Sequence, residues 1–232
     1  WGINRKEKRF VITVRPGSHP KNKSIPNAVL LRDTLKKVKT LREAKSSIYD
    51  GKVKVDGIIQ KSLHHSIGLM DVIELEGITD IYRLVPKDAH ILIPIKIDTA
   101  EKSKKLVKVR SKTTNKGGKI QLGFHDGRTI ITDVNASIDD TCLIQTPDQK
   151  ILDVIKLEKN SQIIITRGVN AGHVGIIKEI KQGTLSLIPL GPSSRVLIST
   201  CVLIHRDEKS SASVKAVLSI LENLYSKWPA KS

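Results

Sequence analysis

Aromatic side chains are scarce: two Trp, three Tyr and two Phe make up 3% of 232 residues. Proteins that hold single-stranded nucleic acid stack its bases on such rings, each stack contributing roughly 1–3 kcal/mol. A stacking platform is therefore a poor fit to this chain. Cysteine is nearly absent. Cys142 and Cys201 lie in apolar stretches with no Cys-x-x-Cys partner, a pattern of buried free thiols in a reducing compartment rather than of a lone disulfide. No apolar run approaches the roughly 20 residues that cross a bilayer, and the opening residues Trp1 to Arg9 are too charged for a signal peptide. A start at Trp1 rather than Met suggests a leader upstream. The chain reads as cytoplasmic.

Acidic residues are also few, 23 against 40 Lys and Arg, leaving a formal charge of +17 and a pI near 9.9. Such a balance favours a polyanionic partner. The excess is uneven. Residues 1–60 hold 15 basic and 5 acidic side chains, residues 61–120 hold 12 and 7, and residues 121–232 hold 13 and 11. The polyanion is expected mainly against the N-terminal half, with the chain beyond about residue 160 adding little. Structured RNA, gripped through phosphates and shape, suits this composition better than a single strand. The hydrophobic share of 39% can support packed cores, and the length allows one or two ordinary domains, or three small ones.

The stretch from Thr40 to Gly57 organises the reading. Thr40 and Glu43 form a capping box, and Leu41, Ala44 and Ile48 make a buried helical stripe. Gly51 ends the helix in a left-handed conformation. Lys52-Val-Lys-Val55 alternates as a strand, and Asp56-Gly57 turns the chain back. Arg42, Lys45, Lys52 and Lys54 remain on the wet side. Just before it, Ala28, Leu31, Leu35 and Val38 give a second apolar stripe, with Arg32, Lys36 and Lys39 as a basic stripe on the same expected helix. Lone basic stripes commonly only solvate a helix; here two helices and a strand agree on a phosphate grip. Residues 28–76 resemble the S-four-type RNA-binding module, carried by Arg42-Glu-Ala-Lys45, Gly51-Lys-Val-Lys-Val-Asp-Gly57 and Gly68-Leu-Met-Asp-Val-Ile73.

The flanks are read in the same way. Residues 1–26, with Arg5, Lys6, Lys8, Arg9, Arg15 and His19, form a Pro- and Gly-punctuated basic arm that lies along phosphates. From about Ile78 to Lys159 short strands follow one another, and Asp126-Gly127 reads as a two-residue hairpin turn presenting Arg128. A basic run from Lys102 to Lys119, including Lys105, Lys108 and Arg110, divides between RNA contacts and solvated strand edges. Gln162 to Lys178 is strand, glycine-rich turn and strand. It lacks the Gly-Lys-Ser/Thr of a nucleotide loop and resembles a KOW motif, whose contact residues here are Arg167, Asn170 and Lys178. His173 stands where many KOW motifs have Arg. Val196 to Ile204 is expected to close the barrel, and Ser213 to Trp228 to form an amphipathic helix.

The chemistry of an enzyme is missing. No His-x-x-x-His, nucleophile elbow or paired-carboxylate motif occurs. The whole order of parts resembles the small-subunit ribosomal protein four-e family of archaea and eukaryotes, most specifically through Arg42 to Gly57, Lys119 to Arg128 and Gly168 to Gly175. Thr129 departs from that family's usual Asn. The resemblance implies an α+β multidomain protein: arm 1–26, S-four-type module 27–79, β-rich central domain 80–158, KOW SH3-like barrel 159–206 and C-terminal helix 207–232. It further implies a structural constituent of the small ribosomal subunit that binds small-subunit rRNA beside neighbouring ribosomal proteins, with no cofactor, metal, small-molecule substrate, membrane or catalytic role. The length favours an archaeal source. A KOW-containing elongation-factor-like protein is the alternative, and an RNA-modifying enzyme a more distant one.

Overall fold

A computed structural model of the chain describes residue 3 and residues 11–88, 91–168, 170–181, 183–188 and 195–205. Arg5, Lys6, Lys8, Arg9 and the expected helix from Ser213 to Trp228 lie outside the described residues. What is described is mostly β, with few helices.

The best-formed helix, α2 (Leu41–Tyr49), follows its local chemistry. The Thr40 hydroxyl accepts from the Glu43 N–H at 3.2 Å, while the Glu43 carboxylate accepts from the Thr40 and Lys39 amides at 3.3 and 2.8 Å. Ala44 and Ile48 are buried, but Leu41, in the first turn, is exposed. Gly51 has φ 79°, as a left-handed terminator requires. The preceding helix is shorter than its stripe suggests. α1 (Asn27–Val29) widens into a π turn over Leu30–Thr34 and stops where Lys36 takes φ 53°. Lys36 and Lys39 therefore sit beyond the helix, and the basic stripe through Arg32 is not a helical one.

Seventeen short strands are described: β1 (Ile25–Pro26), β2 (Val53–Val55), β3 (Ile58–Ile59), β4 (Ser66–Ile67), β5 (Val72–Leu75), β6 (Ile81–Asp88), β7 (Ile91–Ile97), β8 (Lys104–Thr114), β9 (Ile120–Phe124), β10 (Thr129–Thr132), β11 (Thr141–Gln145), β12 (Lys150–Ile155), β13 (Gln162–Ile165), β14 (Val174–Lys181), β15 (Thr184–Ile188), β16 (Arg195–Leu197) and β17 (Cys201–His205). They form three five-stranded antiparallel sheets, ordered β3-β2-β5-β6-β7, β10-β9-β8-β11-β12 and β16-β15-β14-β13-β17, with β1-β4 as a small ladder. Asp56 (φ 51°) and Gly57 (φ 79°) close a two-residue loop with Val55 opposite Ile58, as two adjacent positive φ values allow. The Asp126-Gly127 hairpin is wider than expected. Phe124 and Arg128 are hydrogen-bonded across His125-Asp126-Gly127, with Gly127 alone at positive φ, 78°. The run from Val196 to Ile204 is not one strand, since the 3-10 turn Ile198–Thr200 breaks it. β6 and β7 extend the sheet of β2 and β5, so the N-terminal unit runs across residue 80.

Apolar burial joins these sheets. One cluster lies under the helices, from Ile25 and Ala28 through Ile48 to Leu84, and another under the central sheet around Val107, Leu122 and Phe124. The largest combines Met70, Val85 and Ile95 with Leu106, Leu143 and Ile155 and with Ile163 to Ile204 of the third sheet. The described part of the arm packs as well: β1 pairs with β4, and the Arg15 N–H donates to the His64 carbonyl at 3.1 Å. Gly68 lets the arm approach, because a Cβ there would overlap the imidazole of His19. Gly68→Ala should therefore destabilise the protein by about 1–3 kcal/mol. Urea unfolding checks this, with a Lys61→Ala control at an exposed site nearby.

Candidate nucleic-acid interface

Between residues 27 and 60 the acidic side chains are engaged locally or buried. Asp33 takes the Arg32 guanidinium in two bonds of 2.9 and 2.8 Å. Glu43 caps α2, and those backbone amides hold its carboxyl below the usual range. Asp50 lies 3.4 Å from Lys52, and Asp56 is buried. Lys36, Lys39, Arg42, Lys45 and Lys54 are exposed and enter no ion pair among the described residues. Lys45 stands 5.6 Å over the Tyr49 ring, a cation–π contact that leaves Tyr49 half open to solvent. Cations without local carboxylates are what a phosphate backbone needs, since each neutralised phosphate releases condensed counterions.

A second group of cations is drawn from distant parts of the chain. Lys23 of the arm, Arg110 of β8 and Arg167 of the loop after β13 are all exposed. Although Lys23 is exposed, partial desolvation and then the like charges of Arg110 and Arg167 push its ammonium down from the ordinary range. Nothing local in the sequence marks Lys23 and Arg110 as neighbours of Arg167; only the fold brings them near. Around Arg167 the loop is shaped by Gly168 (φ 98°) and Gly172 (φ 89°), the latter packed against the Lys87 and Pro86 carbonyls at the end of β6. Asn170 is half-buried, its carbonyl accepting from the His173 ring at 3.1 Å, and Lys178 is exposed on β14. Arg15 is exposed on the arm.

Other sequence-marked cations are turned inward. Lys105 is 1% exposed, and its ammonium donates to Asp56 at 2.7 Å and Asp71 at 2.6 Å, with Asp126 at 3.1 Å. Arg128 reaches the same carboxylates, 2.5 Å from Asp56 and 3.3 Å from Asp126. His19, expected on the RNA face, is 4% exposed and its Nε2 lies 3.1 Å from Asp71. It is therefore part of this buried cluster instead. Burial alone would raise the Asp71 carboxyl, but Lys105 and then His19 hold it well below the usual carboxylate range. Burial likewise acts against the Lys105 charge, and the three carboxylates more than offset it, raising its pKa. Lys108 is another inward cation, its ammonium on the Ile198 and Cys201 carbonyls at 2.6 and 2.9 Å and on Asp139 at 2.9 Å. Contrary to expectation, Lys105 and Lys108 therefore lie neither on an RNA-facing surface nor on a solvated strand edge. Strand alternation had no way to mark them, because five consecutive β8 residues from Lys105 to Val109 are buried.

Among the described residues no three His, Cys, Asp or Glu side chains are arranged to hold a metal ion, and no helix is long and apolar enough to cross a membrane. Cys142 and Cys201 are free and buried.

The comparisons bear on the whole arrangement. Ribosomal family S4e matches over residues 78–151, the stretch that supplies Lys105, Asp126 and Arg128. A small ribosomal subunit protein eS4 of Ignicoccus hospitalis is 39% identical over 193 residues, covering 79% of this chain and 76% of that protein. The chain belongs to the S4e ribosomal family. A second relative of the same name, from Caldivirga maquilingensis, is 41% identical over 181 residues, 76% of each chain. The crystal structure of the 30S ribosomal protein S4e from Thermoplasma acidophilum superposes with a TM-score of 0.70 at 34% identity, covering 81% of this chain and 97% of that one. Family membership agrees with the resemblance read from Arg42 to Gly57 and from Lys119 to Arg128.

Proposed function

We propose that this chain is a structural constituent of the small ribosomal subunit, in the cytoplasm, that grips small-subunit rRNA through phosphates and shape and performs no catalysis. The observation that carries the reading is the exposed set Lys36, Lys39, Arg42, Lys45 and Lys54, which enters no ion pair among the described residues while the described acids around it are engaged or buried. Residues 27–79 act as an S-four-type module whose sheet continues through β7, and residues 159–206 act as a KOW-type barrel. Arg15, Lys23, Lys52 and Arg110 extend the phosphate contacts, while Arg167, Asn170 and Lys178 make a smaller one. Arg5, Lys6, Lys8 and Arg9 are assigned to the same partner from sequence alone. Neighbouring small-subunit proteins meet the remaining surface.

The test is a charge reversal on a helix whose buried side is untouched. Arg42→Glu with Lys45→Glu should weaken binding to small-subunit rRNA and lower the slope of log K against log salt by about two, one for each lost phosphate contact. Filter binding between 50 and 200 mM salt, on the order of the range where such slopes are read, gives both numbers. Unchanged affinity and slope with an unchanged melting curve would remove α2 from the interface.

A further inference from the structure

The two inward lysines of β8 connect different parts of the molecule. Lys105 and Lys108 stand three positions apart on one strand, and an odd spacing places side chains on opposite faces. Lys105 meets Asp56 and Asp71 of the N-terminal unit, together with Asp126 of the central hairpin. Lys108 meets the carbonyl of Ile198 in the 3-10 turn and that of Cys201 at the start of β17, together with Asp139 of the central unit. Arg83 of β6 adds a further tie, donating to the Glu101 and Lys104 carbonyls at 3.1 and 2.7 Å.

We propose that Lys105 and Lys108 are positioning residues of the RNA interface: from opposite faces of β8 they lock the N-terminal unit and the third sheet onto the central sheet, fixing the spacing of the cations each unit presents. The apolar cluster shared by the three sheets holds them together without specifying register, because hydrophobic attraction is non-directional. A buried ammonium is different. It is tolerated only where its acceptors surround it, and both acceptor sets include groups from the unit being docked. A small slide of either unit would leave an ammonium or carboxylates buried and unpaired. The distances thus select one arrangement of three basic surfaces, and Lys23, Arg110 and Arg167 show cations from three segments brought together by it. A rigid polyanion spanning those surfaces then binds with the ordering cost already met by the fold.

This inference rests on the rRNA reading, and the experiment separates the two. In the full chain, pairs of spin labels go on Ser46→Cys with Asp133→Cys and on Asp133→Cys with Glu179→Cys, all exposed positions in the three units. Cys142 and Cys201 stay unlabelled, since burial pushes their thiols up to about 12 and about 11. Two backgrounds are compared with the parent: Lys108→Met, and Lys105→Met with Asp126→Asn, which removes one charge of each sign. The expected result is a broadened label distance across the junction each background loosens. With it should come a loss of rRNA affinity of about tenfold or more, from the lower effective concentration of the uncoupled units, at an unchanged salt slope. A melted unit would lower the slope instead. If the double variant does not fold, Lys108→Met alone decides. Unchanged distances overturn the lock, and broadened distances with parental affinity overturn its role in positioning. If the parent itself fails to bind rRNA, the rRNA reading falls while the distances still judge the lock.

Discussion

Lys105→Met is expected to cost about 3–5 kcal/mol at pH 7, the range for removing one partner of a buried ion pair. The side chains are similar in volume, so the loss is electrostatic. Asp56, Asp71 and Asp126, each within 3.1 Å of the ammonium in the parent, would face one another with the Arg128 and His19 side chains and the Gly68, Val72 and Arg128 amides as their remaining partners among the described residues. The pH response should show the cause. In the parent, Asp71 and Asp126 are held below the ordinary carboxylate range, so their stabilisation is present above the unfolded value and lost as pH falls through the folded ones. In the variant, loss of the ammonium lets burial and the neighbouring carboxylates raise those folded values. That sign makes the variant recover part of its deficit as pH falls from 7 towards 4. Urea midpoints at pH 7 and pH 5 read the difference, and a deficit that grows on acidification would refute the electrostatic account.

Acidification of the parent should itself cost up to about 3 kcal/mol between pH 6.5 and 4, through His125. Its Nδ1 accepts from the Lys108 N–H at 3.1 Å, and its Nε2 faces the Leu69 carbonyl at 3.4 Å. The ring can satisfy both only as the neutral Nε2–H tautomer. Burial, then the Lys105 charge, push it down to about 4. Because the folded value lies below the unfolded one, neutral His125 contributes stability fully above pH 6.5, and that contribution disappears as pH falls towards 4. His125→Gln, which can also accept and donate, should flatten the decline across this window in urea titrations. An equally steep decline in the variant would assign the acid sensitivity to other groups.

Local chemistry made much of the fold legible. The Thr40–Glu43 box, the left-handed Gly51, the Asp56-Gly57 turn and the alternation at Val53 and Val55 each depend on residues a few positions apart, and each is present. The exposed cations of α2 could be found in the same way, since they lie opposite Ala44 and Ile48. Pattern failed where tertiary partners decide. The stripe from Ala28 to Val38 has helical spacing, yet the helix widens after Val29 and ends at Lys36. Arg128 follows a turn and so looked like a surface contact, but Asp56, 72 residues earlier in the chain, turns it inward. Lys105 has acceptors 49 and 34 residues away, and within its own window it resembles any other lysine of a basic run. His19 was invisible for the same reason, its partner Asp71 lying 52 residues on.

The buried carboxylates also impose an order on synthesis. Asp56 and Asp71 leave the ribosome before Lys105, and Arg128 follows later still. Until β8 is available the N-terminal unit holds two carboxylates beside its own basic surface, with no ammonium to neutralise them and no central sheet to cover Met70 and Val85. The segment ahead of β8 is then an incomplete folding unit, and the hairpin that carries Asp126 and Arg128 closes the cluster only after β8 has been made. A growing chain of this kind acquires its docked N-terminal unit late, at the moment its central strand arrives.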